Sequence, residues 1–171
     1  MANKLEEQLD ELLVKKAPFQ IPENGRKTIA EWLPWISLIL GALTLWSAWV
    51  LWEWAHVANV WSNYANELSA ALGGGKVVEQ RLSVMVWVAL AVVAVEGVLF
   101  LASFSGTKAR KKSGWNLLFY AALLNIVYGV VTLFTNYNGV SNLIWTVISA
   151  VIGLYFLFQI RSQYTGVSKT E

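Results

Sequence analysis

Glu96 sits inside LAVVAVEGVL, the stretch from Leu90 to Leu99, and no other charged residue lies between Arg81 and Lys108. A carboxylic acid in such surroundings can carry a proton, pair with a cation or hydrogen-bond a neighbouring helix. Other apolar runs of the chain carry isolated polar residues that could meet it. They are Thr44, Asn125, Ser149 and Tyr128, the last one turn beyond Asn125. At about 1.5 Å per helical residue, Glu96 lies roughly 12 Å from the end of its run and Asn125 roughly 15 Å from the same side. Thr44 and Ser149 come to roughly 16 Å. Four runs therefore place a polar group in one layer.

The faces agree with the depths. Ser37, Gly41, Thr44 and Ala48 share one face; so do Ala121, Asn125 and Gly129, and so do Thr146, Ser149 and Gly153. Small residues at every third or fourth position let membrane helices approach closely. The polar residues on these faces should point inward, and Gly97 beside Glu96 admits a neighbouring backbone. An ionised carboxylate at this depth costs roughly 2.5–3.5 kcal/mol on insertion scales. No Lys or Arg lies within the four runs to offset that. Glu96 is expected to be neutral at pH 7 and hydrogen-bonded to Asn125, Thr44 or Tyr128.

Other chemistry finds little material. The chain has no cysteine and one histidine, so it offers neither thiolate ligands nor a His-rich metal cluster. Hydrolysis or group transfer needs a nucleophile with its base, or a metal. His56 falls outside the apolar runs, and Glu96 has no acidic partner. The expectation is a non-enzyme with no catalytic, cofactor-binding or metal-binding residues. The ten tryptophans suit aromatic belts rather than a cofactor pocket. Trp32, Trp35 and Trp115 would mark one interface, and Trp52, Trp54, Trp87 and Trp145 the other. A net charge of +2 gives no reason to invoke nucleic acid.

The elements that must position Glu96 follow from composition. Of 171 residues, 56% are hydrophobic and 14% charged, against about 25% charged in ordinary soluble domains. Four apolar runs stand out, about 32–54, 82–104, 115–135 and 140–160. Each is long enough to cross roughly 30 Å of hydrocarbon as a helix. The first is too long for a signal-peptide core and reads as a retained membrane helix. Lys and Arg are unevenly divided. Eleven fall in the N-terminal segment, the second connection and the tail, and only Lys76 and Arg81 fall on the other side. The positive-inside rule puts both termini in the cytoplasm.

Outside the runs, residues 3–16 read as an amphipathic helix capped by Asn3, with Leu5, Leu9, Leu12 and Leu13 on one face. APFQIPENGRK reads as a linker, and Thr28 with Glu31 as a capping box for the first span. Between the first two runs, Trp54, Val57, Trp61, Tyr64, Leu68 and Leu72 recur at helical spacing. This outer amphipathic segment, 54–72, either extends the first helix or lies on the outer surface.

The expected fold is all-α: a polytopic membrane protein, an antiparallel four-transmembrane-helix bundle with amphipathic helices outside the membrane. Residues 1–31 form a cytoplasmic helix and linker, 32–160 the membrane domain, and 161–171 a cytoplasmic tail. The expected compartment is the inner (cytoplasmic) membrane. The basic connection GTKARKKSG suits anionic lipid headgroups, and the amphipathic segments suit a membrane-protein partner or a second copy.

KKSGWNLLFY (Lys111–Tyr120) and IGLYFLFQIRSQY (Ile152–Tyr164) resemble the last two helices of a group of small uncharacterised bacterial four-helix membrane proteins. The resemblance implies a fold and a compartment. Some of those proteins carry a chromate-transporter name, but no apolar run here holds a cation for an oxyanion. The expected function is that of a structural, scaffolding or accessory membrane protein. The alternative is a proton-linked small-solute transporter or channel subunit that uses Glu96, as an oligomer.

Overall fold

The computed structural model describes residues 2–76, 84–132 and 139–164. They hold five α-helices and no strand: α1 (Ala2–Asp10), α2 (Glu23–Ala71), α3 (Val84–Lys108), α4 (Lys112–Thr132) and α5 (Gly139–Gln159). Arg81, the first two residues of the second run, the last three of the third and the tail from 165 onward lie outside the described residues. Three helices, α2, α3 and α4, are long and apolar enough to cross a membrane, and in α5 the apolar stretch is Leu143–Gln159.

Linker end, first span and outer segment are one helix, α2, of 49 residues, about 73 Å long. Of the two readings of 54–72 it is the extension of the first helix that the structure shows, and the departure lies at the other end. The helix starts at Glu23, so the capping box at Thr28 caps nothing. The Thr28 hydroxyl donates instead to the Asn24 carbonyl inside the helix (3.1 Å). Pro22 stops the helix growing backward, and its carbonyl takes the Arg26 N–H (3.0 Å). Nothing ends the helix near Trp54, because 54–72 continues the same period. Likewise α1 begins at Ala2, one residue ahead of Asn3.

Consecutive helices pack side by side, α2 on α3, α3 on α4 and α4 on α5. The buried residues of α2 are all small: Ala30, Pro34, Ser37, Gly41, Ala48 and Ala55. Its large apolar side chains, such as Leu43, Trp46 and Trp49, face outward, as suits lipid and not water. The α2–α3 contact is reciprocal. A Cβ on Gly41 would come within 2.8 Å of Leu101, and one on Gly97 within 2.8 Å of Leu45. Each glycine receives the leucine that lies one turn past the other, so the two helices run antiparallel.

The second connection is tighter than GTKARKKSG suggested, because α3 runs on to Lys108 and α4 starts at Lys112. Arg110 takes a left-handed conformation, φ 52°, and the Lys111 N–H closes on the Gly106 carbonyl at 2.8 Å. Beside this turn the backbones of α3 and α4 touch. A Cβ on Gly106 would lie 2.6 Å from Gly114 Cα, and one on Gly114 would overlap the Gly106–Thr107 peptide.

The main core gathers at the end of the molecule where α1, the α3–α4 turn and the end of α5 meet. Trp115, Phe119, Leu154, Leu157, Phe158, Ile160, Tyr164 and Ala30 are buried together, with Leu9, Leu13 and Val14 against them. Trp115 does not belong to an interfacial belt. It is 0% exposed, its indole N–H donates to the Leu157 carbonyl at 2.8 Å, and it stacks on Phe119. Arg161 lies over the Trp115 ring (5.5 Å) and bonds Glu6 (2.8 Å) and Asp10 (3.3 Å). These bonds hold α1 on the end of α5 and out of the layer of Glu96. Leu5 and Leu12, expected on the apolar face, are exposed.

Pro34 explains Tyr164. Proline has no N–H, so the carbonyl four residues earlier, that of Ala30, loses its helical partner. The Tyr164 hydroxyl donates to that carbonyl at 3.1 Å. Tyr164→Phe is expected to cost about 1–2 kcal/mol, because it strands a buried acceptor. Burial holds the Tyr164 phenol above its ordinary pKa, with nearby Arg110 pulling the other way. An unfolded tyrosine titrates near pH ~10. Above that pH the unfolded chain releases a proton that the folded chain keeps, so stability falls as pH rises. Unfolding of wild type and Tyr164→Phe between pH 8 and 11 checks both statements. The gap between them should narrow as pH rises.

Candidate functional site

The site follows from the α3–α4 register. Thr107 meets Gly114 at the turn. Eleven residues back along α3 stands Glu96, and eleven residues on along α4 stands Asn125. Eleven residues are about three helical turns, so the close glycine contact aligns acid with amide. Asn125 Nδ2 donates to Glu96 Oε1 at 3.3 Å and to Oε2 at 3.4 Å. The fork is long against the usual ~2.7–3.2 Å, which leaves both oxygens open to a better partner.

The pair does not lie in a sealed interface. It lines a cleft of about 630 Å³ between α2 and α5, two helices that do not pack together along this stretch. Ile29, Leu33, Ile36, Ser37 and Leu40 form the α2 wall, and Ser149, Ala150, Gly153, Phe156 and Leu157 the α5 wall. Phe100 of α3 and Leu118 and Ala122 of α4 lie between them with Glu96 and Asn125. The cleft opens sideways, since Ile36, Leu40 and Phe156 are each more than 40% exposed.

Its polar groups are few and mostly engaged. The Ser37 hydroxyl donates to the Pro34 carbonyl (2.8 Å), and Ser149 to Thr146 (3.0 Å). The free capacity belongs to Glu96 and Asn125. Among the described residues Glu96 is the one ionisable residue of the lining. Of the five residues the sequence singled out, Glu96, Asn125 and Ser149 meet in this cleft. Thr44 does not: its hydroxyl donates to the Leu40 carbonyl of its own helix (2.7 Å). Tyr128 is not in the lining either. Small faces made Thr44 look inward, but it turns its hydroxyl back to the backbone, a common resort of Ser and Thr in helices.

Sequence reasoning missed Gln159. It is 1% exposed; its carbonyl takes the Ile21 N–H (3.4 Å) and its amide donates to the Leu13 carbonyl (3.0 Å). Tyr155 adds a bond to the Phe19 carbonyl (2.6 Å). Together they hold the segment between α1 and α2 on the flank of α5. A lone glutamine near a helix end carries no signal of this role, since both its partners are backbone groups far away in sequence.

No group of three or more His, Cys, Asp or Glu able to hold a metal occurs among the described residues. Comparison with protein-family models, with curated proteins and with solved structures finds no match to this chain.

Proposed function

We propose that this chain is a small integral protein of the inner (cytoplasmic) membrane and that it acts by binding within the bilayer, as an accessory or scaffolding protein. In this reading α2 to α5 all cross the membrane as a four-helix bundle, with both termini in the cytoplasm. The Lys/Arg asymmetry supports that orientation. So does the meeting of the terminal segments, the α3–α4 turn and the end of α5 at one end of the molecule. The basic turn there would face anionic headgroups.

The observation that carries the reading is the cleft. An apolar wall on either side and one carboxyl–amide pair between them suit a guest taken from the membrane. They suit catalysis less well, because the two serine hydroxyls of the lining already donate to backbone carbonyls. The guest or partner would be a membrane component, and a second copy remains an alternative partner.

One observation favours the second reading, a proton-linked transporter or channel subunit. Glu96 lines an open cleft, where a coupling acid would have to be. Reporter fusions after Gly74 and at Glu171 test the topology; the first should be outside and the second inside. Proteoliposomes under a pH gradient test the activity. The accessory reading expects no proton flux above that of empty vesicles, from wild type or from Glu96→Gln. Flux that is present in wild type and abolished in Glu96→Gln would establish the second reading instead.

A further inference from the structure

We propose that the α2–α5 cleft is a binding site for lipophilic amines, which enter sideways from the bilayer and pair with Glu96. The inference rests on the bilayer-binding reading above and names the class of guest.

Three features of the cleft select the guest. Its walls are aliphatic and aromatic, so the body of the guest is apolar. Its volume of about 630 Å³ falls in the ~300–1,000 Å³ range of small-molecule sites. Among the described residues its one ionisable side chain is an acid, and no basic residue of α2, α3, α4 or α5 lines it. The charge it can complement is therefore positive.

Depth separates an amine from a phospholipid. Glu96 lies roughly 12 Å inside the terminus-side edge of its run. A phospholipid carries its polar groups at the edge and would bring only methylenes to this level. A single-headed amine can place its nitrogen there.

The proton balance is closed. The amine dissolves in the bilayer as its neutral free base, and Glu96 waits as a neutral acid. On binding, the amine lone pair takes the carboxyl proton; an O–H bond breaks and an N–H bond forms. The product is an ammonium–carboxylate pair with no net charge, so the cleft gains no unpaired ion. Asn125 Nδ2, already within reach of both carboxyl oxygens, steadies the charged form once the proton has left. A neutral alcohol of equal length gains none of this.

The test uses the full chain in nanodiscs, with dodecylamine as probe and dodecanol as its neutral comparison, measured by equilibrium binding. The amine should bind at least about tenfold more tightly than the alcohol. Glu96→Gln should erase that difference and leave alcohol binding unchanged. Gly153→Phe should abolish binding of both. A Cβ at Gly153 meets nothing within 4 Å, so the new side chain starts into open space on the α5 wall of the cleft. Unchanged thermal unfolding of both variants shows that the fold is intact. Equal binding of amine and alcohol by wild type overturns the proposal. So does an amine preference that survives Glu96→Gln, a tightly held phospholipid that dodecylamine does not displace, or a dimer, trapped as the disulfide of Phe156→Cys in this cysteine-free chain, that leaves no site for either probe. The outcome is separate from that of the flux measurement. A chain that moves protons and also binds dodecylamine at Glu96 refutes the accessory reading and keeps this one.

Discussion

Trp115→Ala is expected to lower the unfolding free energy in detergent by about 3–5 kcal/mol, the usual cost of emptying a large buried aromatic site. Four contacts go at once. The ring stacks on Phe119 at a centroid distance of 5.4 Å, meets Phe158 edge-on at 5.2 Å, and lies under the Arg161 guanidinium at 5.5 Å. Its N–H is also the partner of the Leu157 carbonyl. Trp115→Phe separates the last contribution from the rest. It keeps most of the packing and should cost about 1–2 kcal/mol. If Trp115→Ala cost under about 1 kcal/mol, the ring would belong at a lipid interface and the core described here would be wrong.

That position shows where sequence reading stops. A Trp at the start of an apolar run reads as a belt residue, because type and position along the run are all the sequence displays. Whether a neighbouring helix covers the ring depends on α5, and the covering residues, Leu157 and Phe158, lie some forty positions away. Trp52 and Trp87 fit the belt reading better, since both are partly exposed and meet edge-on at 5.7 Å. The apolar runs, the small-residue faces and the shared depth of Glu96 and Asn125 were legible because each depends on helical period and rise alone. The start of α2 at Glu23 was not, because Asn24, Gly25 and Thr28 have turn and cap propensities worth about 1 kcal/mol each, and tertiary packing of Ala30 and Pro34 outweighs them. The cleft was not legible either. It arises because α2 and α5 do not pack against each other along this stretch, and no local pattern records a contact that two helices fail to make.

Gly114→Val is expected to cost more than about 3 kcal/mol and to leave little folded protein in detergent. Overpacking in a core usually costs about 1–3 kcal/mol, because side chains can shift to absorb it. Here the obstacle is backbone on both sides. A Cβ on Gly114 meets the peptide of Gly106 and Thr107, which the Lys111–Gly106 bond and the left-handed Arg110 hold in a tight turn. Gly153→Val is the matched control, since it puts the same side chain on a helix of the same molecule, where a Cβ meets nothing within 4 Å. It should change stability by less than about 1 kcal/mol. Gly114→Ala should fall between the two. The consequence reaches the site through the register. If α3 and α4 cannot touch at Gly114, nothing aligns Glu96 with Asn125 three turns away, and any Gly114 variant that still folds should bind dodecylamine no better than dodecanol. Chemical unfolding of the three variants measures the first effect and equilibrium binding the second. Equal stability of Gly114→Val and Gly153→Val would mean that the glycine contact does not set the register, and the acid–amide pairing would then need another cause.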